Sequence, residues 1–129
     1  MNTILHIKET DSTNNYLKQL ILEKPLEEGT IVSADFQTAG KGQRGNSWES
    51  DAGKNLLFSI VFYPQSIKAN EQFIISQIVS LGVADFLSVH TGNISIKWPN
   101  DIYWNEKKIC GILIENTIQE NQIKESVCG

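Results

Sequence analysis

Three glycines alternate with two cations, and an indole follows, in the segment Gln37-Thr38-Ala39-Gly40-Lys41-Gly42-Gln43-Arg44-Gly45-Asn46-Ser47-Trp48. Runs of strand-forming residues lead into and out of it, at residues 30–36 and 56–63. Glycine reaches backbone conformations closed to other residues and lets the chain approach a ligand closely. Cations in such a loop add charge-assisted hydrogen bonds to those of the backbone N–H groups. The segment therefore predicts a loop between two strands that binds a phosphate or carboxylate group.

Other interpretations of this glycine loop differ in how well they fit their context. A long, solvated hairpin connection has the same composition, because glycine and polar residues dominate turns. Gly40, Gly42 and Gly45 also satisfy the dinucleotide-binding pattern G-x-G-x-x-G, which requires a helix after its last glycine. Residues 46–55 have no apolar stripe, so that interpretation fails. A Walker A loop fails because no Gly-Lys is followed by Ser or Thr at the required spacing. The hairpin connection stays open.

The composition is that of one soluble globular domain. A chain of 129 residues can bury a core, and its shares of apolar and charged residues are ordinary. A net charge of −4 provides no global basic field, so we expect no nucleic-acid partner and only a local anion site. No apolar run approaches the roughly 18 residues of a membrane span, so no membrane partner is expected. Cys110 and Cys128 form neither a disulfide framework nor a zinc pattern, and the first ten residues lack signal-peptide features. A reduced, cytoplasmic protein is expected.

Apolar periodicity predicts two helices. The first follows Asp11 or Ser12, either of which is a good N-cap, and carries apolar residues at helical spacing: Tyr16, Leu17, Leu20 and Ile21. The second covers residues 68–89, and we expect Gly92 to lie just past its last turn. It should lie across a sheet, because one broad face is apolar at Ile74, Ile75, Ile78, Val79, Gly82, Val83 and Phe86.

Strands are predicted around these helices at residues 4–7, 30–36, 56–63, 94–98, 102–104, 108–115 and 123–127. The run at 56–63 is too continuous to leave one face in water, so we expect a central strand there. A hairpin turn is expected at Asn105-Glu106-Lys107. These elements predict an α+β fold with a mixed, largely antiparallel β-sheet and helices packed on it.

A second constellation combines Lys97-Trp98-Pro99-Asn100-Asp101 with Lys108 and Gly111. A lysine at the mouth of a buried strand is costly unless it meets an anion. Pro99 breaks the strand, and Asn100 and Asp101 at the break can bind a hydroxyl, an amide or a magnesium-bound phosphate. A bulged hairpin with surface lysines fits these residues equally well. Two sites that each combine cations, glycine and tryptophan favour an anionic nucleotide as the ligand.

Four segments resemble the successive motifs of biotin protein ligases in order and spacing: Asp11-Ser12-Thr13-Asn14, residues 37–45, Lys97-Trp98-Pro99-Asn100-Asp101 and residues 108–115. The resemblance covers nearly the whole chain, and the Lys-Trp-Pro-Asn-Asp string together with the glycine loop is highly specific. It implies the family's fold, which resembles the cores of class II aminoacyl-tRNA synthetases and is shared with lipoate ligases and octanoyltransferases.

The resemblance implies a ligase that acts in two steps. The biotin carboxylate attacks the α-phosphate of ATP to give biotinyl-5′-AMP, and a carrier-protein lysine then takes the biotinyl group. ATP, biotin and Mg²⁺ are the implied cofactors. The implied partner is the biotin carboxyl carrier protein of acetyl-CoA carboxylase or of another biotin-dependent carboxylase, and a homodimer is left open. Residues 1–129 are expected to be a C-terminally incomplete catalytic domain, without the N-terminal helix-turn-helix domain or the small C-terminal β-domain of other members.

The resemblance also assigns site residues. Biotin contacts are expected from Ser12, Thr13, Asn14, Gln37, Lys41, Gly42, Gln43, Lys108 and Gly111. Nucleotide contacts are expected from Arg44, Trp48, Lys97, Asn100 and Asp101. Lys108 is the principal catalytic candidate, because it would hold the carboxylate and then the bridging phosphate; Lys41 and Arg44 are further catalytic cations. Asp101 is the candidate ligand for magnesium bound with ATP. Without the resemblance, Ser12 and Thr13 would be read simply as helix caps.

Three positions depart from the common arginine-rich version of the loop. Lys41 keeps the charge but lacks the forked geometry of arginine, and Gln43 and Asn46 are uncharged. Retention of the activated intermediate is therefore the property that these substitutions would affect. Two alternatives are a lipoate or octanoyl ligase on the same fold, and a truncated fragment that binds biotin without turnover.

Overall fold

The computed structural model describes residues 3–129, which form two sheets and two helices. In chain order the elements are β1 Ile4–Thr10, α1 Thr13–Glu23, β2 Ile31–Gln37, β3 Leu57–Phe62, α2 Phe73–His90, β4 Ile94–Lys97, β5 Asp101–Trp104, β6 Lys107–Cys110, β7 Ile114–Gln119 and β8 Gln122–Cys128. One sheet has the strand order β1-β2-β3-β8-β7, and the other has the order β4-β5-β6. Among these strands only β1 and β2 pair in parallel. The predicted α+β class with largely antiparallel pairing is confirmed.

The prediction of a single sheet is wrong, because the segment 108–115 is not one strand. It divides into β6 and β7, which belong to different sheets, and the chain between them pairs elsewhere. Leu113 exchanges two backbone hydrogen bonds with Gly129, at 2.7 and 2.9 Å. The carbonyl oxygen of Ile112 accepts a hydrogen bond from the Asn100 side chain at 2.9 Å. Backbone groups of Ile112 and Leu113 thus have partners away from the β5–β6 ladder.

Helix α1 begins where the sequence predicts, and its cap is Ser12. The extended backbone of Ser12 lets its hydroxyl oxygen accept a hydrogen bond from the Asn15 backbone N–H at 3.0 Å. Capping satisfies one of the free N–H groups of the first turn. The buried side of α1 centres on Leu17, which packs against the five-stranded sheet at Val32, Val61 and Val127. This packing fixes the position of residues 12–14 over the middle of that sheet.

Strand β3 is the middle strand of five, as predicted, but it has one exposed position. Leu57, Ser59 and Val61 are buried, whereas Phe58 is 39% exposed. Successive side chains of a strand point to opposite faces. The face at Phe58 is left partly open to solvent, so the apolar run does not imply burial on both sides along its whole length.

Helix α2 packs on both sheets. Its N-terminal half places Ile75 against Ile123 and Cys128 of the larger sheet. Its C-terminal half places Ala84 against Ile102 of the smaller sheet and against Ile112. The helix thus fixes the two sheets relative to each other.

Two details of the α2 prediction are wrong, the start of the helix and the burial of its apolar face. The helix starts at Phe73 rather than residue 68, because residues 69–71 form a separate 3-10 turn. Gly92 lies just past the last turn, as predicted, because the helix ends at His90 with Thr91 as its cap; the residue with a left-handed backbone is Asn93, with φ 61°. The apolar face is not all buried, because the sheets cover one stripe of a helix that is apolar on several sides; apolar side chains left exposed are Phe73, Ile74, Ile78, Leu81, Phe86 and Val89.

The length and composition of Phe73–His90, with a mean hydropathy of 1.6, are those of a helix that could cross a membrane. This differs from the expectation that no apolar run approaches that length. Polar residues interrupt the run in the sequence but leave the mean hydropathy of the 18-residue helix high. Length and composition alone also fit core helices of water-soluble proteins.

Candidate active site

The glycine loop folds as a hairpin. The Trp48 N–H donates to the Gly40 carbonyl oxygen at 2.8 Å, and the Gly42 N–H donates to that of Asn46 at 2.6 Å. A 3-10 turn at Gln43–Gly45 forms the tip, where Arg44 has a φ of 53°. Gly40 is required here, because a Cβ at that position would collide with the Trp48 carbonyl oxygen. The hairpin interpretation thus describes the backbone, and its side chains decide what the loop can bind.

A polar network lies between the base of this loop and the start of α1. The backbone N–H and the hydroxyl of Thr13 donate to Oε1 of Gln37, at 2.8 and 3.1 Å. The Ser59 hydroxyl lies 2.7 Å from Oγ1 of Thr13 and 2.5 Å from Oδ1 of Asn14. Thr13, Asn14 and Ser59 are buried. The fold therefore brings together three predicted biotin residues that are up to 24 positions apart in sequence.

Glu115 binds the loop cation Lys41 at the edge of this network. Nζ of Lys41 lies 3.0 and 3.2 Å from the two carboxylate oxygens, and Lys18 lies 2.8 Å from Oε2. Asn14 Nδ2 donates to Oε1 at 3.0 Å. Burial alone would raise the pKa of Glu115, but hydrogen bonds from Lys18, Asn14 and Lys41 outweigh it and lower the pKa to about 2. Glu115 is therefore a stable carboxylate throughout the physiological pH range.

Acid is expected to weaken the fold through Glu115. Its pKa is about 2 in the folded chain against an ordinary 4.5, so its contribution to the free energy of unfolding is complete above about pH 4.5. That contribution is lost progressively as the pH falls from 4.5 towards 2. Urea titrations near pH 6 and pH 3 measure how much the free energy of unfolding falls between these two pH values. That fall should be smaller for Glu115→Gln than for the unaltered chain. Glu49 is exposed and has no ion pair within residues 3–129, so it provides the control. For Glu49→Gln the free energy of unfolding should fall by as much as for the unaltered chain. Equal losses in all three proteins would contradict this assignment.

Lys108 and Trp48 form a second cluster on the three-stranded sheet. Nζ of Lys108 lies 2.9 Å from Oδ1 of Asp101 and 5.1 Å from the centre of the Trp48 ring. The indole packs on the backbone of Gly111, where a Cβ would lie 2.6 Å from its Cζ3 atom. Glycine at 111 therefore makes room for Trp48, which confirms the expectation of a close approach at that residue.

A cleft of about 370 Å³ opens beside these two clusters. Its walls come from the loop tip, the start of α2, and the segments around residues 99–100 and 113–116; they include Gln43, Arg44, Phe73, Pro99, Asn100 and Leu113. Nε2 of Gln43 donates to Oδ1 of the buried Asn100 at 2.8 Å. Arg44 is exposed at the cleft and has no ion pair within the described part of the chain. The cleft thus combines apolar walls with amide side chains, and Arg44 is the cation among its lining residues.

The predicted residues occupy two groups of contacts joined by residues 111–113. Asn14 reaches the Leu113 carbonyl oxygen at 3.3 Å from one side, and Asn100 reaches that of Ile112 from the other. Lys97 lies opposite Asp101 in the β4–β5 ladder, and its ammonium group lies 5.7 Å from the centre of the Tyr103 ring. The ligand roles of all these residues stay predictions.

The metal-binding side chains within residues 3–129 do not form a metal site on their own. Asp101, the predicted magnesium ligand, is already paired with Lys108. Within residues 3–129 no three His, Cys, Asp or Glu side chains converge into a group that could hold a metal ion. Asp101 stays the predicted ligand for magnesium bound with a nucleotide.

Three polar residues of the first group were not predicted from the sequence: Lys18, Ser59 and Glu115. Glu115 ends the motif at residues 108–115, and a carboxylate closing an apolar strand is a signal that could have identified it. Ser59 interrupts the most apolar run of the chain, which is a similar signal. The position of Lys18 on α1 gives no indication of its partner.

Comparison with known proteins identifies the family. A family model described as the biotin/lipoate A/B protein ligase family matches residues 6–129. The bifunctional ligase/repressor BirA of Escherichia coli (strain K12) is 34% identical over 120 residues, which are 92% of this chain and 36% of BirA. A biotin--[acetyl-CoA-carboxylase] ligase of Paracoccus denitrificans is 36% identical over 116 residues, or 86% of this chain and 46% of that ligase.

Solved structures agree in fold. The structure described as biotin protein ligase from Aquifex aeolicus in complex with biotin and ATP superimposes with a TM-score of 0.74 at 33% identity. That match covers 98% of this chain and 51% of the other chain. The chain thus spans between about a third and a half of the length of these relatives. On this match over nearly its full length, the chain belongs to the biotin/lipoate A/B protein ligase family.

Proposed function

We propose that this chain is the catalytic part of a biotin protein ligase, which activates biotin with ATP and transfers it to a lysine of a carrier protein. One observation carries the proposal: a hydrogen-bonded network of the half-buried Gln37 with the buried Thr13, Asn14 and Ser59 lies beside a cationic glycine loop. The Aquifex aeolicus relative, described as binding biotin and ATP, supports the choice of substrates.

The network suits a ureido ring, which presents one carbonyl acceptor and two N–H donors. Hydroxyl and amide oxygens at Thr13 and Asn14 can accept from the ring N–H groups, because each oxygen has a second lone pair. The Ser12 hydroxyl accepts the cap hydrogen bond through its oxygen and keeps its hydrogen for the ring carbonyl. The dithiolane ring of lipoate offers no N–H or carbonyl group. It would displace water from these buried polar atoms without forming hydrogen bonds to them.

Activation joins two anions, so the site must supply positive charge. A carboxylate oxygen of biotin attacks the α-phosphorus of ATP, the bond to the β-phosphate breaks, and pyrophosphate leaves. An ammonium group has three N–H donors, and the ion pair with Asp101 uses one, so Lys108 can donate to both the carboxylate and the developing phosphate charge. Arg44 at the cleft can meet the other phosphate oxygens. No step is assigned to a resident metal ion.

Transfer completes the reaction. The neutral amine of a carrier-protein lysine attacks the acyl carbon of biotinyl-5′-AMP, and AMP leaves with the mixed-anhydride oxygen. The biotin carboxyl carrier protein of acetyl-CoA carboxylase, or of another biotin-dependent carboxylase, is the acceptor that we propose. The name of the Paracoccus denitrificans relative supports it.

Calorimetric titration tests the choice of substrate. Biotin should bind saturably and lipoate should not, because the network matches a ureido ring. Thr13→Ala should weaken biotin binding about tenfold, the effect of one lost hydrogen bond of about 1.4 kcal/mol. Thr38→Ala, at an exposed position next to Gln37, is the matched control and should bind as the unaltered chain does. Saturable lipoate binding without a biotin response would instead support a lipoate or octanoyl ligase.

A further inference from the structure

Glu115 joins three segments that are distant in sequence. It lies on β7, accepts hydrogen bonds from Asn14 and Lys18 of α1, and pairs with Lys41 of the glycine loop. Each carboxylate oxygen accepts two hydrogen bonds, Oε1 from Asn14 and Lys41 and Oε2 from Lys18 and Lys41. A carboxylate with four such contacts holds its partners in one arrangement.

Lys41 is fully engaged by these contacts. Its ammonium group lies 2.6 Å from Oδ1 of Asn15 as well as 3.0 and 3.2 Å from the Glu115 oxygens. Three acceptors account for all three N–H donors of a lysine. The loop cation predicted to meet an anionic ligand is therefore committed to holding the loop against α1.

This ion pair is the only one that the loop makes within residues 3–129. Arg44, the other cation of the loop, is exposed. The remaining side-chain attachment of the tip is the neutral hydrogen bond between Gln43 and Asn100. A charged, half-buried contact is the stronger of the two kinds.

We propose that Glu115 is a positioning residue that latches the glycine loop onto α1 through Lys41 and so sets how tightly the loop closes over the ligand site. The identity of the ligand rests on the proposed function, whereas the latch itself does not. Glu115 touches no reacting atom in this proposal. Its effect on binding passes through Lys41.

A different role for Glu115 would give the opposite result. If the carboxylate only offset the charge of Lys18 and Lys41, removing it would leave two cations beside the site. An anionic ligand would then bind more tightly, and the loop would stay as it is. The latch predicts looser binding and a more mobile loop, so the two roles are separable.

Hydrogen exchange of the ligand-free chain tests the latch first. In Glu115→Gln the backbone amides of Gly42 and Trp48, which close the hairpin, should exchange about tenfold faster than in the unaltered chain. Lys18→Gln is the matched control, because Lys18 pairs with the same carboxylate but lies on α1. Its loop amides should exchange as in the unaltered chain. Equal acceleration in both variants, or none in Glu115→Gln, would overturn the proposal.

Two further measurements complete the test. Glu115→Gln should raise the KM for biotin about tenfold while kcat changes less than about threefold, and a lowered KM would overturn the latch. The double variant with Lys41→Gln should exchange no faster than either single variant, because both remove the same contact. If Glu115→Gln does not fold, Lys41→Gln alone breaks the latch from the loop side and must give the same acceleration. Fast loop exchange in a chain that binds no biotin would leave the latch standing and refute only the proposed function.

Discussion

Replacing Lys108 with alanine is expected to slow pyrophosphate release from ATP and biotin by about a hundredfold or more. The lysine ammonium lies between Asp101 and the Trp48 ring, and the ion pair with Asp101 leaves it two N–H donors. Its charge would stabilise the negative charge that develops as the carboxylate meets the α-phosphate. Removing one such donor typically costs about 2.7–4 kcal/mol in the transition state. The loss should appear in the rate of activation at saturating biotin.

Lys107→Ala is the matched control. Lys107 is the neighbouring residue on β6, lies opposite Trp104 and is exposed, so its side chain points away from the Asp101 cluster. Its removal changes the net charge by the same amount as the loss of Lys108. Pyrophosphate release should stay within about twofold of the unaltered chain. Comparable rates for the two variants would show that Lys108 is only a surface charge.

Replacing Gly111 with alanine is expected to reduce the same rate by about a hundredfold. The new Cβ would lie 2.6 and 2.9 Å from two carbon atoms of the Trp48 ring, well inside van der Waals contact. The indole must therefore move by about 1 Å, and a displacement of that size in a reacting site can cost about a hundredfold in rate. Movement of the ring would also break its contact with Lys108.

Gly82→Ala provides the control for this substitution. Gly82 lies inside α2, and a Cβ there has nothing within 4 Å. Alanine should stabilise the helix by about 0.4–1 kcal/mol without changing the rate. A Gly111→Ala protein that unfolds at the usual urea concentration and reacts at the usual rate would show that Trp48 adjusts without consequence.

Local sequence patterns predicted most helices and strands of this fold. Ser12 as a cap, the helix around Leu17 and the central strand at residues 57–62 follow from short-range chemistry, namely capping, helical spacing and apolar runs. Division of the strands into two sheets could not be predicted in this way. It depends on pairing between Leu113 and Gly129, which lie 16 positions apart, and such non-local partners leave no periodicity in the sequence.

The sequence predicted which residues belong to the candidate site better than it predicted which of them contact each other. Thr13, Asn14, Gln37, Lys108 and Gly111 were identified from motifs, and the fold places them in the two adjoining clusters. The partner of Lys41 could not be inferred, because a cation in a glycine loop suits an external anion as well as a carboxylate of the same chain. Only the position of β7 beside α1 brings Glu115 within reach of Lys41.

The most direct test of the central claim is to measure pyrophosphate release from ATP by the unaltered chain, with and without biotin. Pyrophosphate release from ATP should require biotin and should not be supported by lipoate. That result would show that the chain itself couples recognition of a ureido ring to attack on the α-phosphate. Release that is independent of biotin, release driven by lipoate, or saturable biotin binding with no release at all would contradict the account.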